Sequence, residues 1–329
     1  MKKSVKHVLA GIGIAAGAVG TGVVSITKYL MSIALDRKSP ISDRKAKSKL
    51  SGSSEHHVLL EKLDAAAAML ENADCERKEI TARDGTKLVG HWRGCENPER
   101  VIIAMHGWRS SWAKDFGAVA ESWYEKHCSV LYVEQRGQNE SGGDYMSLGL
   151  MERYDCLDWL SWMEQQDFVR HRGTKLPIYL CGVSMGATSV LMAAGLGLPD
   201  SVHGIIADCG FTSPHDICKH ITEDNLHISY ALCGELAEYY CRGKINVGTK
   251  EASTIEAMEN CRTPILFIHG TEDTFVPIEM TYKNYRACKG PKRLFVVPGA
   301  GHGMSYFTDQ TGYEAAVKAF WDDYDSKES

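Results

Sequence analysis

Along the chain, apolar residues form first one uninterrupted run and later a series of short blocks. Residues 8–27, "VLAGIGIAAGAVGTGVVSIT", carry no charge. At about 1.5 Å per residue a helix of that length reaches roughly 30 Å, enough to cross a bilayer core. The polar, charged, Ser-rich stretch "DRKSPISDRKAKSKLSGSS" that follows predicts a linker over residues 36–54. Beyond it, the Leu, Ala and Met of "EHHVLLEKLDAAAAMLEN" favour a helix. Three regions are therefore expected: an anchor or signal segment at residues 1–35, the linker at 36–54, and one large domain at 55–329.

Within that domain the pattern alternates. "KEITARDGTKLVGHWRG" places Asp84-Gly85 between two alternating runs, which predicts a β-hairpin. Six apolar blocks follow, at 101–107, 129–135, 177–182, 202–210, 264–270 and 293–299, several apolar on both faces as buried parallel strands are. Amphipathic stretches such as "AKDFGAVAESWYEKH" and "GYEAAVKAFWDDYD" lie between them or close the chain. The hairpin and the six blocks make eight strands, mostly parallel, with helices on both faces. Residues 213–260 contain no strand block and are too long for a plain connection, which predicts a helical cap.

Charge and cysteines narrow the possibilities. A net charge of −5 without a basic face in the domain argues against a nucleic-acid partner. Eleven cysteines without a Cys-x-x-Cys pair, and no His-Glu-x-x-His, give no spacing for a disulfide framework or a metal site, so buried reduced thiols and no metal or cofactor are expected. For the N-terminus two readings stand. Gly13 and Gly17 at small-xxx-small spacing suit a packed membrane helix, and a single-pass anchor is the first of them. Lys2, Lys3 and Lys6 ahead of Ala16-Gly17-Ala18 also fit a cleaved signal peptide. The six basic residues between Arg37 and Lys49 favour a cytoplasmic domain, whereas the short "MKK" start favours export, so the side of the membrane stays open.

The chemistry centres on "PIYLCGVSMGATSVLMAAG". With 31 glycines and 25 serines in 329 residues, about 0.2 Gly-x-Ser-x-Gly matches arise by chance, so the pattern depends on its surroundings. Ser184 follows a strand block and opens a helix, the setting of a nucleophile elbow. A serine hydroxyl needs a base, and the base a carboxylate. Asp273 follows the 264–270 block and His302 the 293–299 block, so both lie past strand carboxyl ends, where open α/β sheets bind ligands. Glu272 and Asp208 are the rival carboxylates. The backbone N–H groups of Met185 and of Trp108, in the loop after the 101–107 block, are the candidate oxyanion donors. His106 and Arg136 read as structural, and Trp159 and Trp162 as core.

With these segments in place, "HGWRSS", "EQRGQNESGG", "GVSMGA", "FIHGTEDTFVP" and "GAGHG" make the chain resemble the α/β-hydrolases over roughly residues 78–325. More narrowly, it is similar to bacterial hydrolases of the serine aminopeptidase S33 or BAAT-like type, which often carry an N-terminal anchor. Many of those have His-Gly after the Arg-Gly pair, where this chain has Gln138 and Asn139, a difference expected to affect loop packing or substrate. The resemblance implies hydrolysis of a small-molecule acyl substrate through Ser184, Asp273 and His302, with an ester as the default. Amide or peptide cleavage and acyl transfer fit the same site. A catalytically idle, membrane-tethered binding protein predicts a broken triad. Phe211, Tyr230, Leu232 and Tyr239 are the cap residues expected to shape the pocket.

Overall fold

The alternation of apolar positions has a direct structural consequence in β3 (Arg100–Met105). Val101, Ile103 and Met105 enter one core layer, while Ile102 and Ala104 enter the layer on the opposite face. The computed structural model describes residues 21–38, 54–171 and 173–326. Its main sheet adds β1 (Glu76–Thr81), β2 (Lys87–Arg93) and β4 (Cys128–Glu134) on one side of β3. On the other side lie β7 (Ile178–Val183), β8 (Val202–Asp208), β9 (Ile265–Gly270) and β10 (Lys292–Val297), giving the order β1-β2-β4-β3-β7-β8-β9-β10. Only β2 runs against its neighbours, so the sheet is eight-stranded and mostly parallel. A two-residue hairpin, β5 (Arg170–His171) and β6 (Thr174–Lys175), stands apart.

Helices cover both faces. On the first, α4 (Glu152–Glu164), α5 (Met185–Ala194) and α8 (Thr254–Asn260) bury Trp159, Val190 and Met258. The second is covered by α2 (Ser54–Glu71), α3 (Trp112–Glu125) and the helix Gln310–Tyr324. Helix α3 illustrates why these residues fold as they do: Trp112, Phe116, Val119, Ala120 and Trp123 recur on one face at helical spacing. Ser111 caps its first turn by accepting from Lys114 N at 3.3 Å. Trp123, Trp159 and Trp321 are fully buried, each worth about 1.5–3 kcal/mol of apolar transfer.

Between β8 and β9 the chain is helical: α6 (Pro214–His220), a π turn at Ile221–Asn225, a short 3-10 turn and α7 (Gly234–Ile245) precede α8. This layer sits above the carboxyl ends of the strands. It shares a third core cluster with a helix over 21–35, here α1, through Met31, Leu35, Leu148, Ile217 and Ala237. Most of the apolar run at residues 8–27 lies outside the described residues. Among those described, no helix is long and apolar enough to cross a membrane. All eleven cysteines are free thiols and eight are buried. Trp159 belongs to the core and Trp162 packs against it.

Candidate active site

The elbow forms because two glycines let backbones approach. A Cβ on Gly182 would lie 2.3 Å from Gly186 C, and one on Gly186 would lie 1.8 Å from Met105 O. Ser184 between them takes φ 55° and ψ −117°, a strained conformation held by flanking structure, with its N–H donating to Asp208 O at 2.8 Å. Its hydroxyl stands 2.9 Å from His302 Nε2. The other ring nitrogen, Nδ1, lies 2.7 Å from Asp273 Oδ2. Serine, histidine and aspartate, 118 and 29 residues apart in sequence, thus form one hydrogen-bonded chain.

Asp273 is fixed on all sides. Phe275 N and Val276 N donate to Oδ1 at 3.0 and 2.8 Å, and His269 Nε2 lies 3.1 Å from Oδ2. Burial acts to raise this carboxyl, but the two histidines and the Val276 N–H outweigh it and hold the group well below the usual carboxylate range. The rivals do other things. Burial pushes Asp208 up to about 6, and it accepts from Ser305 Oγ at 3.0 Å. Glu272 is exposed.

The candidate oxyanion donors flank Ser184. Met185 opens α5, and a first-turn N–H has no acceptor within its helix. The loop carrying Trp108 runs close to the nucleophile: a Cβ on Gly107 would lie 3.3 Å from Ser184 Cβ. Asp115 holds this loop, accepting from Gly107 N at 2.6 Å and from Ser110 Oγ. Asn139 Nδ2 donates to Ser110 O at 3.0 Å, a bond that packs its own loop against this one. His106 is fully buried, which lowers its pKa, and Gln135 N donates to its Nε2 at 3.2 Å. The proton therefore sits on Nδ1, which donates to Gly107 O at 2.8 Å. Phe275 joins the two halves of the site, with its ring centroid 5.0 Å from His302 and 6.4 Å from Trp108.

Ser184 and Trp108 open into an apolar cavity of about 160 Å³. Among the described residues, no charged side chain lines it. Phe211 and Tyr230 do, but the other two cap residues expected there do not: Leu232 and Tyr239 are 63% and 72% exposed, because their helical phase turns them to solvent.

A model of the prolyl oligopeptidase family matches residues 114–327. The chain belongs to that family. Among relatives, "Uncharacterized protein YqkD" of Bacillus subtilis is 28% identical over 195 residues, 59% of this chain and 62% of that protein's length. "Uncharacterized protein YfhR" of Escherichia coli K12 is 27% identical over 245 residues, 72% of this chain and 76% of that one. Esterase Pf2001 of Pyrococcus furiosus superposes with a TM-score of 0.60 at 22% identity, over 77% of this chain and 92% of that one. Est1E of Butyrivibrio proteoclasticus, in a structure with bound ferulic acid, gives 0.59 at 21%, over 76% and 100%. At these identities the likeness is one of fold, and that fold is the α/β-hydrolase fold.

In this family member the structure brings Ser184, Asp273 and His302 together and sets Trp108 and Met185 beside them. Sequence reasoning did not find His269, Asp115 or the residues of α1 that line the cavity. A histidine inside the fully buried β9 was the available signal for the first. Among the described residues, Cys209, Asp273 and His302 are the one trio near enough to share a metal ion. Burial raises the Cys209 thiol well above its ordinary pKa, and the other two already bond each other, so the set is poorly suited to that use.

Proposed function

We propose that this protein is a serine hydrolase that cleaves carboxylic esters through an acyl-enzyme. The observation that carries the reading is the Ser184–His302–Asp273 chain at the mouth of an uncharged cavity. His302 Nε2 takes the Ser184 proton as Oγ attacks the carbonyl carbon, and Asp273 stabilises the imidazolium. The N–H groups of Met185 and Trp108 receive the oxyanion. The tetrahedral intermediate collapses as His302 passes the proton to the leaving alkoxide. Water, deprotonated by His302, then attacks the acyl-enzyme and releases the acid.

The family match favours a second substrate class, since the matched family is one of peptidases. The lining of the cavity favours the ester, because the backbone amides of a peptide would meet mostly apolar side chains there. The motif likeness to S33 or BAAT-like hydrolases and the uncharged run at residues 8–27 support a membrane tether as part of the same reading.

The test is fluorophosphonate labelling of the full chain beside ester and peptide panels. Labelling of wild type, its loss in Ser184→Ala and His302→Ala, and turnover of esters above peptides are expected. A folded wild type that neither labels nor turns over any ester would sink the reading and leave the tethered binding protein in its place.

A further inference from the structure

Helix α1 does more than lead into the domain. Its side chains Leu30, Met31 and Ala34 line the cavity that Ser184 opens into, together with Phe211 and Tyr230. Met31 is 3% exposed and Leu35 fully buried.

The helix is also fastened by its end. The last carbonyls of a helix lack partners within it. Here Ile33 O accepts from Arg109 Nε and Nη2 at 3.0 and 2.6 Å, Ala34 O from Trp108 Nε1 at 2.9 Å, and Leu35 O from Met146 N at 2.7 Å. Two of these three donors belong to the loop that offers an oxyanion N–H. Beyond the helix, Arg37 N donates to Asp144 O at 2.8 Å, and Lys244 of the cap pairs with Asp36. A segment that only tethered the domain would need none of these bonds.

The cavity's position relative to the triad says which part of the substrate enters it. The leaving alcohol must take its proton from His302 Nε2, and His302 does not line the cavity. The acyl group, which stays bonded to Ser184 Oγ, is the part left to fill it.

We propose that α1 is the wall that selects the acyl group, with Leu30, Met31 and Ala34 setting the length of a linear aliphatic chain. The inference rests on the ester-hydrolase reading above.

The experiment measures kcat/KM of the full chain on p-nitrophenyl acetate, butyrate, octanoate and dodecanoate, with fluorophosphonate labelling as a separate readout. In wild type, each methylene that enters the cavity raises kcat/KM by about fourfold until the cavity is full. Ala34→Trp fills the space and lowers the octanoate-to-acetate ratio by about tenfold or more. Met31→Ala enlarges it and moves the optimum toward dodecanoate. Should Ala34→Trp not fold, Met31→Ala and Leu30→Ala decide the question. Variants that label like wild type yet keep its chain-length profile overturn the role of α1. Absence of labelling and of ester turnover in wild type removes the hydrolase reading first, and this inference with it.

Discussion

His269 Nε2 stands 3.1 Å from Asp273 Oδ2, the same oxygen that lies 2.7 Å from His302 Nδ1. Val276 O, also an acceptor, lies 2.9 Å from that nitrogen, so Nε2 carries the ring proton. Thr281 Oγ1, 2.7 Å from Nδ1, then donates to it. In the proposed mechanism His269 is therefore a positioning residue that orients the carboxylate for His302. A hydrogen bond to a charged group is worth about 1.5–3 kcal/mol, so His269→Ala should lower kcat by about 10- to 100-fold. KM should hold, and His269→Gln should recover part of the loss. Unchanged kcat per labelled site in His269→Ala would remove this role.

The elbow sets a steric prediction. A Cβ at Gly186 meets Met105 O at 1.8 Å and one at Gly182 meets Gly186 C at 2.3 Å, both backbone atoms that cannot step aside. Gly186→Ala and Gly182→Ala should each cost about 3 kcal/mol or more and abolish labelling of Ser184. Gly243, inside α7 with no atom within 4 Å of an added Cβ, is the comparison. Gly243→Ala should raise stability by about 0.5–1 kcal/mol in urea denaturation.

Why was so much of the triad legible, and His269 not? Ser184, Asp273 and His302 each follow a strand block, and a strand's carboxyl end is a feature of local sequence. The eight strands were legible because alternation and block length are local too. His269 lies within such a block, where its neighbours Ile268 and Phe267 say only that the strand is buried. The cavity wall of α1 was hidden differently. Leu30, Met31 and Ala34 end a long apolar stretch whose one charge is Lys28, with nothing to mark an inward face, and the donors that fasten it at Trp108, Arg109 and Met146 lie more than 70 residues away. Leu232 and Tyr239 were misjudged because composition identifies an apolar cap but not its helical phase.

In the proposed mechanism Asp115 pins the loop that carries the Trp108 N–H, since one carboxylate holds both Gly107 N and Ser110 Oγ. Its place in the first turn of α3 suits a negative charge. Asp115→Ala frees the loop that positions Trp108 N–H, and an oxyanion donor lost or displaced costs about 100-fold or more in kcat. Asp115→Asn keeps an acceptor for one of the two donors and should fall between. Equal kcat in wild type and Asp115→Ala would mean that the loop is held by Asn139 and His106 alone.

Arg136 shows how a buried ion pair makes stability depend on pH. Its guanidinium bonds both oxygens of Asp155, at 2.6 and 2.5 Å, and reaches Asp84 at 2.7 Å. Burial pushes Asp155 up to about 6 even though Arg136 pulls it down, while Asp84, despite its own burial, is drawn to about 2 by Arg136 and Thr86. Arg136→Leu leaves the Asp155 carboxylate buried without a partner, an expected loss of about 3–5 kcal/mol at about pH 8. With Arg136 gone, the folded-state pKa of Asp155 rises further above the unfolded value of about 4. Its penalty is therefore full above that folded pKa and fades as acid protonates the group. Asp84 adds to this only below about pH 4, because a depressed carboxylate keeps its full contribution above its unfolded value and loses it as pH falls toward its folded value of about 2. The gap between wild type and Arg136→Leu should thus narrow from about pH 8 to about pH 4 in urea titrations. The double variant Arg136→Leu/Asp155→Leu, which removes both buried charges, should recover much of the loss. A gap that stays constant with pH would mean that Arg136 contributes packing rather than charge.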